Sequence, residues 1–509
     1  MSSKTSYTPQ PSIHQGDYFM VLSTFISASR NILRGDAGIN GDAQRIEQLT
    51  WMLFLKVYDS KESEWEFHDD EYESIIPEKL RWRAWATDNR DGRSMTGQEL
   101  LNFVNLELFP TLKELPLTSQ TPLSKTVVKS VFEDSNQYMK DGVLLRQLVN
   151  LINDINFDDF AERHAFGDLY ETLLRQLQSA GSSGEFYTPR AVTDFIVRMI
   201  NPRLGERVAD FAAGTAGFLT STLKHLEKQV QSVGEREVYR TSVFGIEKKP
   251  MPYLLGVTNL LLHDVDAPEF FHGNSLERNV RDFRDNEKFE VVLMNPPYGG
   301  TEQEAIKANF PQSLRSSETS DLFVALITYR LRRGGRAAVV LPDGLLFGND
   351  GAKRNLKERL INQFNLHTIV RLPGSVFAPY TSIATNLLFF DNSGPTEHVW
   401  YYRVDLPEGY KAFSKTRPMQ VKHFDDCITW WNDRQDILDP GGTHKARHYD
   451  VAELIERGYN LDQCGFPQES TLVLSPEESI AAYKTKRAEL DSKIDAQLEQ
   501  IQRVLGVAL

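Results

Sequence analysis

Two hydrophobic rhythms divide this chain. In residues 17–61 the apolar positions Ile46, Leu49, Met52 or Leu53 and Leu55 to Val57 recur at helical spacing, and a glycine-flanked break at 35–41 separates two helices. Further helical patterns run over 97–108, 124–132 and 143–152, and no strand alternation precedes residue 200. The pattern predicts an all-helical N-terminal domain over residues 1–160. A loop, Gln-Ser-Ala-Gly-Ser-Ser-Gly at 178–184, then opens a different rhythm of strand, glycine turn and helix. Strands are predicted at 207–211, 242–247, 269–272, 289–294, 336–342, 367–372 and 383–391, with helices at 218–230 and 253–263 among the intervals. That alternation is the pattern of a doubly wound, mainly parallel α/β sheet, placed at 161–395.

The remainder splits in two. Residues 396–474 form a mixed extension with a Trp430-Trp431 pair. Residues 475–509 begin with Ser475-Pro476-Glu477-Glu478, a cap with proline at the first helical position and glutamate three residues after the cap. Ile480, Tyr483, Leu490, Ile494, Leu498, Ile501 and Leu505 then follow at spacings of three, four or seven. A narrow stripe of this kind suits one long helix that packs on its own domain or on another subunit.

Composition changes this picture in two places. The 509 residues are 40% hydrophobic, enough for a sizeable core, and no apolar run is long enough to span a membrane. The two cysteines, Cys427 and Cys464, have no partner at metal-ligand spacing, so a reducing cytoplasm is expected and a zinc site is not. The net charge of −13 argues against a stand-alone nucleic-acid binder, which needs a basic footprint. One local basic cluster, Arg330, Arg333 and Arg336, is either a local basic face or, the reading favoured, a solvated helix end beside Gly334-Gly335.

Candidate chemistry lies at the ends of the predicted strands, where ligands bind in open α/β sheets. The apolar run 289–294 ends in Asn295-Pro296-Pro297-Tyr298. Two prolines remove two N–H donors, which leaves the Asn295 side chain and the Pro296 carbonyl as acceptors beside the flat ring of Tyr298. Together these suit a planar amine, although Asn-Pro is also a common turn start. The first strand ends in Asp210-Phe211-Ala212-Ala213-Gly214-Thr215-Ala216-Gly217-Phe218, small residues that let a ligand approach the backbone. It is not the dinucleotide fingerprint. Glu247 ends the second strand, placed to accept ribose hydroxyls, or else is a surface charge beside Lys248-Lys249. Asn274 and Ser275 end the third, where an amide suits an adenine edge. Glu185-Phe186-Tyr187-Thr188-Pro189 precedes the first strand and leads into a helix.

The set resembles the S-adenosylmethionine-dependent amino-methyltransferases. With the Phe-x-Thr-Pro element ahead of the glycine motif, it resembles the gamma class of adenine-specific DNA methyltransferases. Across nearly the whole length it is similar to the modification subunit of type I restriction–modification systems, including 319–323 (Thr-Ser-Asp-Leu-Phe), 341–344 (Leu-Pro-Asp-Gly), 372–377 (Leu-Pro-Gly-Ser-Val-Phe) and 459–462 (Tyr-Asn-Leu-Asp). Two departures stand out: Phe211 and Ala216 replace the family's Pro and Gly, and Asn274 stands where many relatives carry Asp.

The resemblance implies transfer of a methyl group from S-adenosylmethionine to the exocyclic amine of a flipped adenine. Asn295, Pro296, Pro297, Tyr298 and Phe377 would do the chemistry. Glu185 to Pro189, Asp210, Ala212, Gly214, Thr215, Gly217, Phe218, Glu247, Asn274 and Ser275 would hold the cofactor. It implies DNA, a specificity subunit, a second copy of the methyltransferase subunit and a restriction (translocase/nuclease) subunit as partners, with no membrane. A stand-alone gamma-class enzyme is the nearest alternative, but the chain between residue 395 and the last helix is short for a recognition domain. Release-factor glutamine methyltransferases share the Asn-Pro-Pro-Tyr type of turn but are shorter. A purely scaffolding role sits poorly with an intact turn.

Overall fold

The computed structural model describes residues 15–87, 94–157, 166, 167, 170, 188–378, 383–414, 416–466 and positions scattered over 480–499. The helical beginning contains α1 (Gln15–Gly35), α2 (Asp42–His68), α3 (Leu123–Glu133) and α4 (Gly142–Asn153), with no strand among its described residues. The pattern predicted over 97–108 is α-helix only to Asn102 and then widens into a π-helical stretch, Phe103–Leu108. Described positions in 480–499 are helical, and Ile480, Tyr483, Leu490 and Ile494 of the stripe are exposed. Ser475, Pro476, Glu477 and Glu478 lie outside the described residues.

Ten strands form one sheet in the order β3-β2-β1-β4-β5-β7-β6-β8-β10-β9. They are β1 (Val208–Asp210), β2 (Val243–Glu247), β3 (Glu269–His272), β4 (Phe289–Met294), β5 (Leu331–Pro342), β6 (Asn365–Arg371), β7 (Thr385–Asp391), β8 (His398–Arg403), β9 (Ile437–Leu438) and β10 (His444–Asp450). Strands β3, β2, β1, β4 and β5 are parallel. Strand β7 runs against β5 and β6, and β8 is again parallel to β6. The carboxyl ends of β1 to β6 and of β8 therefore share one edge. Beyond residue 395 the sheet continues through β8, β10 and β9. Those strands mix aromatic and polar residues, as in His398-Val399-Trp400-Tyr401-Tyr402-Arg403, and so carry no apolar run that would mark them in the sequence.

The central strands are apolar on both faces because both are covered. In β4, Val292 and Met294 face a core built with α8 (Thr319–Arg330) and α9 (Gly351–Gln363). Val291 and Leu293 face the opposite core, which holds Phe195 and Ile196 of α5 (Arg190–Ile200). Two further helices position the site: α6 (Gly217–Glu227) and α7 (Pro250–Leu262). Helix α7 is apolar almost all round, and its outer face is buried by α2 in a core shared with the helical region. Lys61 of α2 is fully buried there and pairs with Asp264 at 2.8 Å and Asp266 at 2.9 Å just beyond α7. Among the described residues no helix is long and apolar enough to cross a membrane.

Of the basic cluster only Arg333 is exposed; Arg330 and Arg336 are not on a solvated helix end. Arg330 is 5% exposed, ends α8, and lies 4.2–5.8 Å from the rings of Phe283, Phe211, Phe289 and Phe244. Its Nε donates to the Glu287 carbonyl, and burial lowers its pKa to about 10. Arg336 sits inside β5 and pairs with both carboxylate oxygens of Glu206. The rings that cage Arg330 are far apart in sequence, so local periodicity carries no sign of them.

Candidate active site at the carboxyl edge of the sheet

Strand β4 ends at Met294, and the next residue turns out of the sheet. Pro296 is buried, and Gly299 and Gly300 take φ of +74° and +84°, a bend that β-carbon-bearing residues resist. The loop is strapped down on its far side, where Thr301 bridges Glu318 and the Thr319 N–H donates to the Gly300 carbonyl. Glu318 is in turn held by Lys353, which also lies 3.4 Å from Asp321 and from Asp350. The 319–323 segment thus supports the turn from behind.

Within the turn, the Asn295 Nδ2 donates to Thr188 Oγ1 at 2.9 Å. Its Oδ1 is buried and has no hydrogen-bond partner among the described residues. An orphaned buried acceptor is costly unless something else uses it. Among the described residues nothing on the backbone donates to the Pro296 carbonyl either. Tyr298 is half-buried, and desolvation of its hydroxyl pushes the phenol pKa well up, so the ring stays neutral. Phe377 is buried, and the two ring centroids are 6.2 Å apart with planes at 70°. They form a corner, not a pair of parallel jaws.

The glycine loop between β1 and α6 stands beside this turn, since β1 neighbours β4. Gly214 has φ +54°, and a β-carbon there would meet nothing within 4 Å, so the loop opens onto free space. Its shape is set by neighbours. The Gly214 N–H donates to Glu247 Oε2 at 2.8 Å, the Asn259 amide of α7 donates to the Thr215 carbonyl, and Ser275 Oγ donates to the Phe211 carbonyl. Ala212 N–H donates to Asp210, whose carboxyl pKa is raised by burial and by the nearby Glu247 charge. Ala216 adopts φ +63° ahead of Gly217 and Phe218, in a position where glycine is the easier residue. Asn274 accepts the Leu276 N–H on Oδ1, so its NH₂ is the group left for a ligand.

The structure therefore gathers Thr188, Pro189, Asp210, Ala212, Gly214, Thr215, Gly217, Phe218, Glu247, Asn274, Ser275, Asn295, Pro296, Pro297, Tyr298 and Phe377 around one edge. Glu185, Phe186 and Tyr187 lie outside the described residues. Several supporting residues carry no mark in the sequence. Arg190 donates to the Gly217 carbonyl, Ser221 and Thr220, tying α5 to α6. Buried Arg371 donates to Asp343 and Asp462, so the 341–344 and 459–462 segments meet on one guanidinium. For Arg190 the one available hint is its place directly after Thr188-Pro189.

Comparison with known proteins places the chain in a family. Residues 22–152 match the HsdM N-terminal domain, and residues 161–471 match the N-6 DNA Methylase family. The chain is 45% identical to the type I restriction enzyme EcoEI methylase subunit of Escherichia coli, over 96% of this chain and 99% of that one. It is 28% identical to the EcoKI methylase subunit of Escherichia coli strain K12, over 82% and 78% of the two chains. Among solved structures, a modification subunit from Vibrio vulnificus YJ016 superposes with TM-score 0.76 at 41% identity, covering 88% of this chain and 94% of that one. A chain from work on complex assembly and conformational transition of the type I R-M system gives 0.78 at 35% identity, covering 95% and 98%.

Proposed function

The chain belongs to the N-6 DNA methylase family, as a methylase subunit of the type I restriction enzymes, and from that premise we propose that Asn295 to Tyr298 hold a flipped adenine for methylation at its exocyclic amine. The observation that carries the reading is the divided Asn295 amide: its NH₂ is spent on Thr188 and its buried oxygen is spare.

S-adenosylmethionine, when bound, supplies an electrophilic methyl group on a sulfonium. The residues present fit that molecule. Gly214 leaves room against the backbone, the Glu247 carboxylate, which accepts the Gly214 and Lys249 N–H groups, would also accept ribose hydroxyls, and Asn274 and Ser275 would meet an adenine edge. Asp210, Ala212, Thr215, Gly217 and Phe218 shape the loop, and Glu185 to Pro189 would close it.

An adenine amine is a poor nucleophile because its lone pair is shared with the ring. Asn295 Oδ1 and the Pro296 carbonyl accept its two N–H bonds and favour a pyramidal nitrogen with a localised pair. As the N–C bond forms and the methyl's bond to sulfur breaks, leaving a neutral thioether, positive charge grows on that nitrogen, facing two fixed dipoles. The proton leaves after transfer, so no base is needed beforehand. Tyr298 stacks on the base, and Phe377 braces Tyr298 from its edge. Pro297 holds the turn rigid. Residues 161–395 carry this reaction, and the segment 475–509 is the dock for a specificity subunit, which would choose the sequence. A second methylase copy and a restriction subunit complete the assembly.

Asn295→Ala, purified with its specificity subunit, should bind S-adenosylmethionine as the unchanged chain does and transfer methyl groups roughly 100- to 1,000-fold more slowly. Full transfer would remove Asn295 from the mechanism. Thr188→Val separates positioning from cofactor binding. A fall in kcat with an unchanged cofactor Kd places Thr188 behind Asn295, whereas a weaker Kd with unchanged kcat places it on the cofactor.

A further inference from the structure

The segment 404–424 leaves β8 at the carboxyl edge, the edge that carries Asn295 to Tyr298. From 409 to 424 it contains Lys411, Lys415, Arg417 and Lys422 and no acidic residue, in a chain whose net charge is −13. The segment is built as a strap. Phe413, Met419 and Phe424 are buried in the core that also holds Phe377. The Phe413 N–H donates to Ser375 Oγ at 2.9 Å, which pins the strap two residues from Phe377. Ser414 and Arg417 exchange backbone hydrogen bonds of 3.0 and 3.1 Å, closing a tight turn between the anchors.

Lys411, Arg417 and Lys422 lie between and beside these anchors. Lys411, Arg417 and Lys422 are exposed, and none makes an ion pair among the described residues. The neighbouring acids are largely engaged elsewhere: Asp405 by Arg403, and Asp426 by Lys445. Glu408 and Asp425 bracket the strap at its two ends. The result is a row of exposed cations, none in a direct ion pair among the described residues, on a strap pinned beside Phe377; Lys422 lines a cavity with Asp405, Glu408 and Asp426.

We propose that this strap grips the phosphates of duplex DNA next to the flipped adenine, so that the methylase subunit supplies part of the non-specific DNA affinity itself. The inference rests on the methyltransferase reading for its partner. Duplex DNA is favoured over other polyanions because the strap is anchored on the wall of the base pocket. A duplex must lie against that wall when one of its bases enters. Phosphate contacts position without reading sequence, which matches an exposed row of lysine and arginine.

The test is the salt dependence of DNA binding by the complex with the specificity subunit. The probe is a labelled duplex of arbitrary sequence, titrated over a series of NaCl concentrations. Replacing Lys411, Arg417 and Lys422 together by Gln should make the slope of log Kd against log salt shallower by about two to three, at about 0.9 per lost phosphate contact. Affinity should fall by the same factor on any sequence, while binding of S-adenosylmethionine stays unchanged. If the triple variant does not fold, each single Lys411→Gln, Arg417→Gln and Lys422→Gln should lower the slope by about 0.9. Wild-type slopes in all of these variants overturn the proposal. Failure of the underlying reading looks different: the unchanged complex would bind duplex and transfer no methyl group, whatever the strap does to the slope.

Discussion

Two groups of cations sit at opposite edges of one sheet, and the structure uses them in opposite ways. At the amino end of β5, Arg330 is enclosed by four phenylalanine rings and Arg336 is held by Glu206 and the carbonyls of Ile200 and Asn201. At the carboxyl edge, Lys411, Arg417 and Lys422 stand in water without an acidic partner among the described residues. On sequence alone the arginine cluster reads as the exposed one. The lesson is that counting charge does not find a nucleic-acid surface; what matters is whether each charge is already satisfied. Guanidinium, planar and weakly hydrated, suits the aromatic cage, whereas a strongly hydrated ammonium would not stay there.

The comparison can be broken at either end. The largest effect is expected at Arg330. Arg330→Ala leaves a cavity among four rings and should cost about 3 kcal/mol in urea unfolding, with no change in the salt slope of DNA binding. An unfolding midpoint equal to wild type would mean the cage is not a stabilising contact. Arg336→Ala removes a bidentate pair and two carbonyl contacts at a half-buried site, for about 1–2 kcal/mol by the same measurement. Arg336→Lys should recover only part of that, since an ammonium cannot reproduce the fork. The smallest effect belongs to the strap: Lys411→Gln should alter unfolding by less than about 0.5 kcal/mol. A large loss of stability there would show that Lys411 has a structural partner and would erase the contrast.

What is legible in the sequence follows the same division between local and distant causes. The central parallel strands β4 and β5 are legible because a strand buried on both faces needs an apolar run, as Val291 to Met294 and Ala337 to Leu341 provide. The strand-end residues Glu247, Asn274 and Asn295 are legible because chain order places them on one edge. Their partners are not. Thr188 meets Asn295 across 107 positions, and Asp343 and Asp462 reach Arg371 from either side of it. The strap is visible as charge, yet only Phe413 and Ser375 place that charge beside the pocket.

The buried Lys61 bears on how such chains can be recombined. The two family matches, 22–152 and 161–471, invite treating the protein as a pair of exchangeable cassettes. Helix α7 crosses that boundary in function: one of its sides carries Asn259 and so fixes the glycine loop, and another is covered by α2. A hybrid joined at residue 155 would need a lysine and a matching apolar surface from the donor to meet Asp264, Asp266 and α7. Natural exchange between relatives is therefore expected to carry both segments together, as a single unit of inheritance.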